Sequence, residues 1–281
     1  MIIDWHNHLY GGAGAVGIGK QGADEFVRSY LQVMDRVGID KAVFYPWWIR
    51  GNDNLDVLVK VNKEYGDRLM AFYAPPIGAT AKQMVQDLEK YVNLGFKGLK
   101  LVPPISQVYP NDPELYPIYE KALELDIPVN IHCGTVYNNP EKPNECRIKF
   151  GMPILLDDVA RDFPKLKVGV AHAGRPFIEE TLALAVNPNV YIDMTWSQLA
   201  LGLYPDTMKR VLMAFGPDRI VYGSDTGTRE VLARPEDFSS VSTARCETMF
   251  RETMQILREL GVDQASVRKI MGENATKLLK L

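Results

Sequence analysis

Short apolar segments alternate with longer amphipathic segments along the 281 residues of the chain. The apolar segments are rich in β-branched residues and show little polar alternation, which is typical of parallel strands that are buried on both faces. The pattern predicts eight strands, near residues 1–6, 39–45, 69–74, 97–102, 127–132, 167–172, 189–194 and 219–224.

The segments between these strands have the 3.6-residue period of amphipathic helices. They span residues 22–37, 55–65, 81–94, 115–125, 154–162, 177–186 and 206–215, and two more, 242–260 and 264–279, follow the last strand. Regular alternation of strand and helix is typical of a closed parallel barrel. We therefore predict an α/β protein, a (β/α)8 TIM barrel with extra C-terminal helices, as a single domain over residues 1–281.

A doubly wound open sheet is the structural alternative, and a phosphate-binding loop after the first strand would favour it. Residues 11–20 are rich in glycine, but they contain neither GxGxxG nor GxxxxGK[ST]. We interpret this stretch as a flexible active-site loop. The segment 133–151 is long for a connection from strand to helix, so we predict that it forms a lid.

Composition and charge restrict the classes of partner. The net charge is −3 and no long basic run occurs, so nothing indicates binding of nucleic acid or of an anionic membrane. We find no signal-peptide pattern and no apolar stretch of membrane-spanning length. Cys133, Cys146 and Cys246 are an odd number without CxxC spacing, which indicates reduced thiols and a cytoplasmic protein. We expect a small-molecule substrate, and the C-terminal helices could support a homo-oligomer.

The four histidines of the chain all lie at the ends of predicted strands. His6 and His8 lie at the end of the first strand, His132 ends the fifth, His172 ends the sixth, and Asp225 joins them at the end of the eighth. In a barrel these strand ends meet at the rim that carries the active site, and residues two apart in a strand share a face. Imidazole and carboxylate groups bind divalent metals, so the pattern predicts a metal site.

This arrangement resembles the amidohydrolase superfamily, which has HxH on strand 1, histidines on strands 5 and 6, and aspartate on strand 8. The segments 131–134, 171–174 and 222–226, together with the tail 270–279, are similar to its amidohydrolase-2 branch. That branch includes enzymes like aminocarboxymuconate semialdehyde decarboxylase. The resemblance covers nearly the whole chain and implies a metal-dependent barrel enzyme.

The resemblance also implies roles for the individual residues. His6, His8, His132 and Asp225 would bind one divalent metal, with zinc expected and manganese, cobalt or iron also suited to this ligand set. His172 would act catalytically by moving the proton of the metal-activated water, and Asp225 could share that work.

Lys100, at the end of the fourth predicted strand, has three interpretations. It could be carboxylated and bridge a second metal, as in the two-metal branches of the superfamily, although a second metal is the less expected case. It could instead contact an anionic substrate, or lie at the rim with its ammonium group in water.

Further candidates follow other strand ends. Arg175 could bind a substrate carboxylate or lie on a solvated face. Asp193 could accept a hydrogen bond from a histidine ligand, but a buried structural carboxylate is the favoured interpretation. Trp47, Trp48 and Trp196 could wall a substrate pocket or pack in the core, and Tyr137 in the predicted lid could contact the substrate.

The expected activity is hydrolysis of the amide, ester or lactone group of a small molecule by metal-activated water, with His172 and Asp225 moving protons. The first alternative is metal-dependent, non-oxidative decarboxylation of a small carboxylic acid. The second alternative is an inactive barrel that acts as a binding protein, and the five filled site positions argue against it.

Overall fold

Eight parallel strands form the centre of the protein in a computed structural model. The structure describes residues 1–8, 20–46, 55–136, 146–195, 204–226 and 238–281. The strands within these ranges are β1 Ile3–His8, β2 Lys41–Tyr45, β3 Leu69–Ala71, β4 Leu99–Leu101, β5 Val129–His132, β6 Val168–Ala171, β7 Val190–Thr195 and β8 Ile220–Gly223.

Helices follow the strands and surround them. They are α1 Lys20–Val37, α2 Leu55–Tyr65, α3 Ala81–Asn93, α4 Pro103–Ser106, α5 Tyr116–Glu124, α6 Leu156–Asp162, α7 Ile178–Ala183, α8 Tyr204–Phe215, α9 Phe238–Glu259, α10 Gln264–Arg268 and α11 Asn274–Leu279. A turn of π-helix, Lys269–Glu273, lies between α10 and α11, where the sequence predicted one continuous helix. Among the described helices, none has both the length and the apolar character needed to cross a membrane.

The strands pair in parallel in two runs, β1-β2-β3 and β4-β5-β6-β7-β8. Tyr73, just beyond β3, joins the runs at one side: its N–H donates to the carbonyl of Gly98 at 2.9 Å, and Lys100 N–H donates to the carbonyl of Tyr73 at 2.7 Å. β3 and β4 are shorter than predicted because these bonds replace a regular ladder.

β1 and β8 close the other side of the barrel. His8 N–H donates to the carbonyl of Thr226, and Asp225 N–H donates to the carbonyl of His6, both at 2.8 Å. The prediction of a (β/α)8 barrel is therefore confirmed, and the open sheet is wrong. Asp225 itself lies two residues beyond β8, in a left-handed backbone conformation with φ 54°.

Inward-facing side chains divide the barrel interior into two parts. At the N-terminal ends of the strands the interior is apolar, and Trp5 packs edge-on against Phe72 with ring centroids 5.3 Å apart. We call this part the apolar floor; its buried residues are Ile3, Trp5, Val43, Met70, Phe72 and Val221, with Ala275, Leu278 and Leu279 from α11. Toward the C-terminal strand ends the interior becomes polar.

A β-bulge in β1 marks the change from apolar to polar. Asp4 pairs with Ala42 and Asn7 with Phe44, so β1 has one residue more than β2 over this stretch. Bulges of this kind re-aim side chains near active sites. As a result, the consecutive residues Trp5 and His6 both face the barrel interior.

The side chain of Asn7 satisfies backbone groups at the bulge. Its amide nitrogen donates to the carbonyl of Asp4 at 3.3 Å and to that of Val43 at 3.4 Å. Its amide oxygen accepts from the Ser224 hydroxyl at 2.9 Å. Because buried carbonyl groups need partners, Asn7 stabilises the backbone arrangement that presents the histidines on either side of it.

Candidate active site

His6 is oriented by a buried carboxylate on β7. Its Nδ1 lies 2.6 Å from Asp193 Oδ2, and both side chains are fully buried. Asn130 donates to the same oxygen at 2.7 Å, and the Thr195 hydroxyl donates to Oδ1 at 2.9 Å. Burial raises the pKa of Asp193 to about 7, while the Lys100 charge and the hydrogen bonds act against this rise. Because Asn130 and Thr195 both donate to it, the ionised carboxylate fits the site.

The contact with Asp193 fixes the tautomer of His6. Since the carboxylate accepts from Nδ1, the proton of the neutral ring is on Nδ1 and the lone pair is on Nε2. From the sequence, a role as hydrogen-bond partner of a histidine was the less favoured interpretation of Asp193, after that of a buried structural carboxylate. A carboxylate that directs a histidine in this way is typical of metal sites.

Three electron-pair donors then converge at the barrel mouth. His6 Nε2 lies 3.3 Å from His8 Nε2, and Asp225 Oδ1 lies 3.8 Å and 3.6 Å from these two nitrogens. Ligands of a tetrahedral zinc ion at 2.0–2.1 Å stand about 3.4 Å from one another. The spacing therefore fits a shared metal ion.

His172 faces the same mouth, although it is not part of β6. The strand ends at Ala171, and His172 begins a short 3-10 turn with φ 57°. Its Nδ1 lies 2.9 Å from Thr195 Oγ1 and 3.3 Å from the carbonyl of Thr195. A carbonyl can only accept, so Nδ1 carries the proton and Nε2 presents a lone pair.

A nitrogen of His172 also lies within ligand distance of the cluster. One ligand atom each from His6, His172 and Asp225 lie within 4.8 Å of one another. The left-handed turn therefore brings His172 into the same group of donors as His6 and Asp225.

His132, at the end of β5, contacts the cluster through His172. Its Nδ1 lies 3.2 Å from His172 Nε2, and its Nε2 lies 3.1 Å from the carbonyl of Thr135. Since that carbonyl must accept, His132 Nε2 carries the proton and Nδ1 presents a lone pair. This lone pair faces the lone pair of His172 Nε2. Two acceptors at this distance favour a cation or a proton near them. The role of His132 as a metal ligand stays a prediction.

All four imidazoles are held in the neutral form. Burial lowers the pKa of His6, His8 and His172, and burial with the Lys100 charge lowers the pKa of His132 to about 3. Only the neutral ring offers a lone pair to a metal. The donor set therefore suits a divalent cation both in its spacing and in its protonation state.

Asp225 is held from its other side by a buried arginine on α9. Arg245 Nη2 lies 3.6 Å from Asp225 Oδ2, and Arg245 Nε donates to the carbonyl of Ser224 at 3.2 Å. The carboxylate thus turns Oδ1 toward the histidines and Oδ2 toward the guanidinium. Gly223, two residues earlier, allows β8 to approach β1 and β7, because a Cβ there would lie 2.5 Å from Thr195 Cγ2 and 2.7 Å from His6 Cβ.

Lys100 reaches the mouth from β4 with a side chain that is only 1% exposed. Its ammonium nitrogen lies 4.7 Å from the ring centroid of Tyr45. The interpretation that this group lies in water at the rim is wrong, because the inward face of β4 buries it. Contact with an anionic substrate and a carboxylated bridge remain predictions.

The remaining candidates are only partly described. Arg175 follows the His172 turn, and its charge lowers the pKa of His132 and His172, which places it near the mouth. Trp47, Trp48, Tyr137 and Trp196 lie outside the described residues, as do the glycine-rich stretch 11–19 and residues 137–145 of the predicted lid. Burial raises the pKa of Cys133 to about 12, so its thiol stays protonated.

The amidohydrolase family model, Amidohydro_2, matches residues 3–281, nearly the whole chain. The chain belongs to the amidohydrolase family. Members of this family are metal-dependent enzymes, which agrees with the cluster of donors at the barrel mouth. The family assignment and the barrel predicted from the sequence are both confirmed.

One sequence relative of this amidohydrolase is 2-amino-3-carboxymuconate-6-semialdehyde decarboxylase from Dictyostelium discoideum. It is 23% identical over 228 residues, which cover 69% of this chain and 62% of the relative. The chain thus aligns with less than two thirds of the relative's length.

Two solved structures show the same fold. The 2,6-dihydroxybenzoate decarboxylase from Rhizobium has a TM-score of 0.69 and 16% identity, and the match covers 99% of this chain and 98% of that one. An amidohydrolase from Burkholderia multivorans, solved with bound zinc, has a TM-score of 0.70 and 13% identity over 100% and 99% of the two chains.

Several residues of this amidohydrolase site were not identified from the sequence. Asn130 and Thr195 hold Asp193, and each lies two residues from a predicted site residue in the same strand. Residues two apart in a strand share a face. A polar residue two positions from a site residue, in an otherwise apolar strand, could therefore have indicated that Asn130 and Thr195 face the site. Arg245 gave no such signal, because it lies on a helix and meets Asp225 only in the folded barrel.

Proposed function

We propose that the protein is a metal-dependent decarboxylase of a small carboxylic acid. The observation that carries the metal-dependent, proton-transferring part of this proposal is the arrangement of His172, which is hydrogen-bonded through Thr195 to Asp193 and faces the converging donors of His6, His8 and Asp225. The relative from Dictyostelium and the structural neighbour from Rhizobium are both decarboxylases, which supports this choice among the activities of the family.

The metal would be one divalent ion, and zinc is our first choice. His6, His8 and Asp225 would hold it, with His132 as the predicted fourth ligand and His172 at the border of the site. When bound, such an ion supplies a Lewis acid that polarises an oxygen atom of the substrate. Three imidazoles with one carboxylate suit zinc, and the Burkholderia neighbour was solved with zinc bound.

The protein residues would handle the proton of the reaction. His172 Nε2 first takes up a proton from solvent. When the carboxyl group leaves as CO2, the electron pair of the broken C–C bond stays on the substrate carbon, and the proton of His172 Nε2 forms the new C–H bond there. A substrate carboxylate near the ring favours the protonated imidazole, which offsets the effect of burial on its pKa. Thr195 holds the ring in position through Nδ1 while Nε2 exchanges the proton.

Hydrolysis is the second candidate, and it rests on membership of the amidohydrolase family. The sequence placed hydrolysis first and decarboxylation second. The same donors and the same proton carrier serve both reactions, so the metal-binding residues do not distinguish them. The named relatives support the alternative better than the first expectation. We therefore place decarboxylation first.

A substrate panel on the metal-loaded protein tests this order. Carboxylic acids, including 2,6-dihydroxybenzoate, are assayed for CO2 release, and esters, lactones and amides are assayed for hydrolysis. We expect CO2 release from at least one acid, and we expect this release to disappear after metal removal and in His172→Asn.

Turnover confined to the esters, lactones or amides would instead support hydrolysis. Equally poor turnover of every compound by metal-loaded and metal-free protein would favour a barrel that only binds its ligand. Reloading the stripped protein with zinc, manganese, cobalt or iron in separate samples identifies the ion that restores activity.

A further inference from the structure

A buried ammonium group lies in the barrel mouth, over the ring of Tyr45. Leu99 and Leu101 face the helices, so Lys100 between them faces the interior, where it is almost fully buried. Within the part of the chain that the structure describes, its nitrogen has no hydrogen-bond partner. A buried charge without such a partner is costly, so its presence indicates that a ligand completes the site.

The carboxylates near Lys100 are held by other groups. Asp193 uses both oxygens to accept from His6, Asn130 and Thr195. Asp225 turns one oxygen toward the histidines and the other toward Arg245. Both carboxylates attract the Lys100 charge through space, but neither makes a hydrogen bond to its nitrogen. The N–H donors of Lys100 are thus left for a ligand.

The surroundings of this ammonium also point to an anion. Its nitrogen lies over the ring of Tyr45, whose other neighbours include the His6 ring at 4.6 Å. Lys100 is therefore beside the metal-binding donors, and its charge lowers the pKa of all four histidines. A group bound to Lys100 would lie next to the reacting groups of the site.

The charges at the mouth lead to the same conclusion. Among the described side chains there, Lys100 and Arg245 balance Asp193 and Asp225 in formal charge, and Arg175 near them is also cationic. A divalent cation would then leave an excess of positive charge in a buried space. An anionic ligand would reduce this excess, and a carboxylate can accept hydrogen bonds from the ammonium of a lysine.

We propose that Lys100 binds an anionic carboxylate of the substrate, and so restricts the site to small organic acids. This inference rests on the proposed function and names the residue that selects its substrate class. It also makes Lys100 a free amine rather than a carboxylated bridge between two metals.

Stability without ligand provides the first test. We compare Lys100→Met with Lys97→Met, which removes a partly exposed lysine near the start of the same strand. If Lys100 serves a ligand, removing its buried charge leaves the melting temperature of the ligand-free protein unchanged or raises it. A clear fall in Lys100→Met alone would show that the ammonium stabilises the fold and would overturn the proposal.

Binding provides the second test, on metal-loaded protein by calorimetry. Acetate, malonate, benzoate and 2,6-dihydroxybenzoate are each paired with the corresponding neutral amide. We expect the wild type to prefer at least one acid over its amide, and Lys100→Met to bind that acid about tenfold more weakly or worse. Lys97→Met should behave like the wild type. An acid preference that is missing in the wild type, or retained in Lys100→Met, would overturn the proposal.

Two further readouts separate the alternatives. Native mass spectrometry that finds two metals and an added CO2 on Lys100 would establish the bridge and overturn the proposal. Binding that depends on Lys100 without any CO2 release would refute the proposed function and leave the anion site intact. Decarboxylation with an unchanged KM in Lys100→Met would leave the proposed function intact and refute the anion site.

Discussion

The two ends of one barrel interior differ sharply in chemistry, although β1 contributes side chains to both. The apolar floor packs aliphatic and aromatic side chains against α11 and carries no charge. The polar mouth, at the C-terminal ends of the strands, holds buried charges and imidazoles. We define this polar mouth as His6, His8, Lys100, Asn130, His132, His172, Asp193, Thr195 and Asp225.

The contrast shows how a barrel separates stability from activity. The floor stabilises the fold through burial of apolar surface, which requires no particular functional group. The mouth buries polar groups, which is favourable only where each finds a partner, a metal ion or a ligand. Changes in the two parts should therefore affect different measurements.

Removal of the metal should have the largest effect on activity. A chelator is expected to abolish turnover, while the stripped protein still unfolds cooperatively because the apolar floor remains packed. Restoring the metal at a hundred times its dissociation constant should stabilise the fold by about 2.7 kcal/mol. Circular dichroism melts and CO2 release, measured before and after reloading, check both statements. Loss of the folded state on chelation would contradict the separation of floor and mouth.

His172→Asn should lower kcat by roughly 10²–10⁴-fold, the usual contribution of a proton-transferring group. The metal content of the variant should stay at the wild-type value if His172 moves the proton. Steady-state kinetics and metal analysis of the same preparation give both numbers. If the metal is lost as well, His172 is a ligand, as its distance from His6 and Asp225 allows.

Met70→Ala, in the apolar floor, should lower the free energy of unfolding by about 2–5 kcal/mol because it leaves a cavity. Its kcat and KM per folded molecule should not change. The matched control is Met213→Ala, since Met213 is 78% exposed and its loss should change stability by less than about 0.5 kcal/mol. Urea unfolding with kinetics below the transition measures both. A loss of activity in folded Met70→Ala protein would show that floor and mouth are coupled.

Asp193→Asn should weaken metal binding by about 10–100-fold, since the variant no longer fixes the lone pair of His6 toward the cluster. The exposed Asp218, which pairs with Lys269 at the surface, provides the control Asp218→Asn. Competition with a chromogenic chelator gives the affinity of each variant. Equal affinity in Asp193→Asn and wild type would show that Asp193 is structural, as the sequence favoured.

Local patterns account for what could be predicted. The eight strands could be located because parallel buried strands are continuous apolar runs, and His132 ends β5 where the pattern put it. His172 was placed one residue too far into its strand, because a left-handed turn leaves no mark in an apolar pattern. Asp193 was visible as a carboxylate in a strand, but its partner His6 lies 187 residues away, beyond the range of local patterns.

The sequence by itself determined the alternation of strands and helices, the family and the reservation of histidine for strand ends. Only the tertiary structure decided how these residues meet. Simple alternation puts Trp5 and His6 on opposite faces of β1. The bulge against β2 turns both inward, so one strand supplies an aromatic ring to the floor and the histidine pair to the mouth. The physical reason is that pairing with a neighbouring strand, together with the bonds from Asn7 to Asp4 and Val43, sets the backbone there.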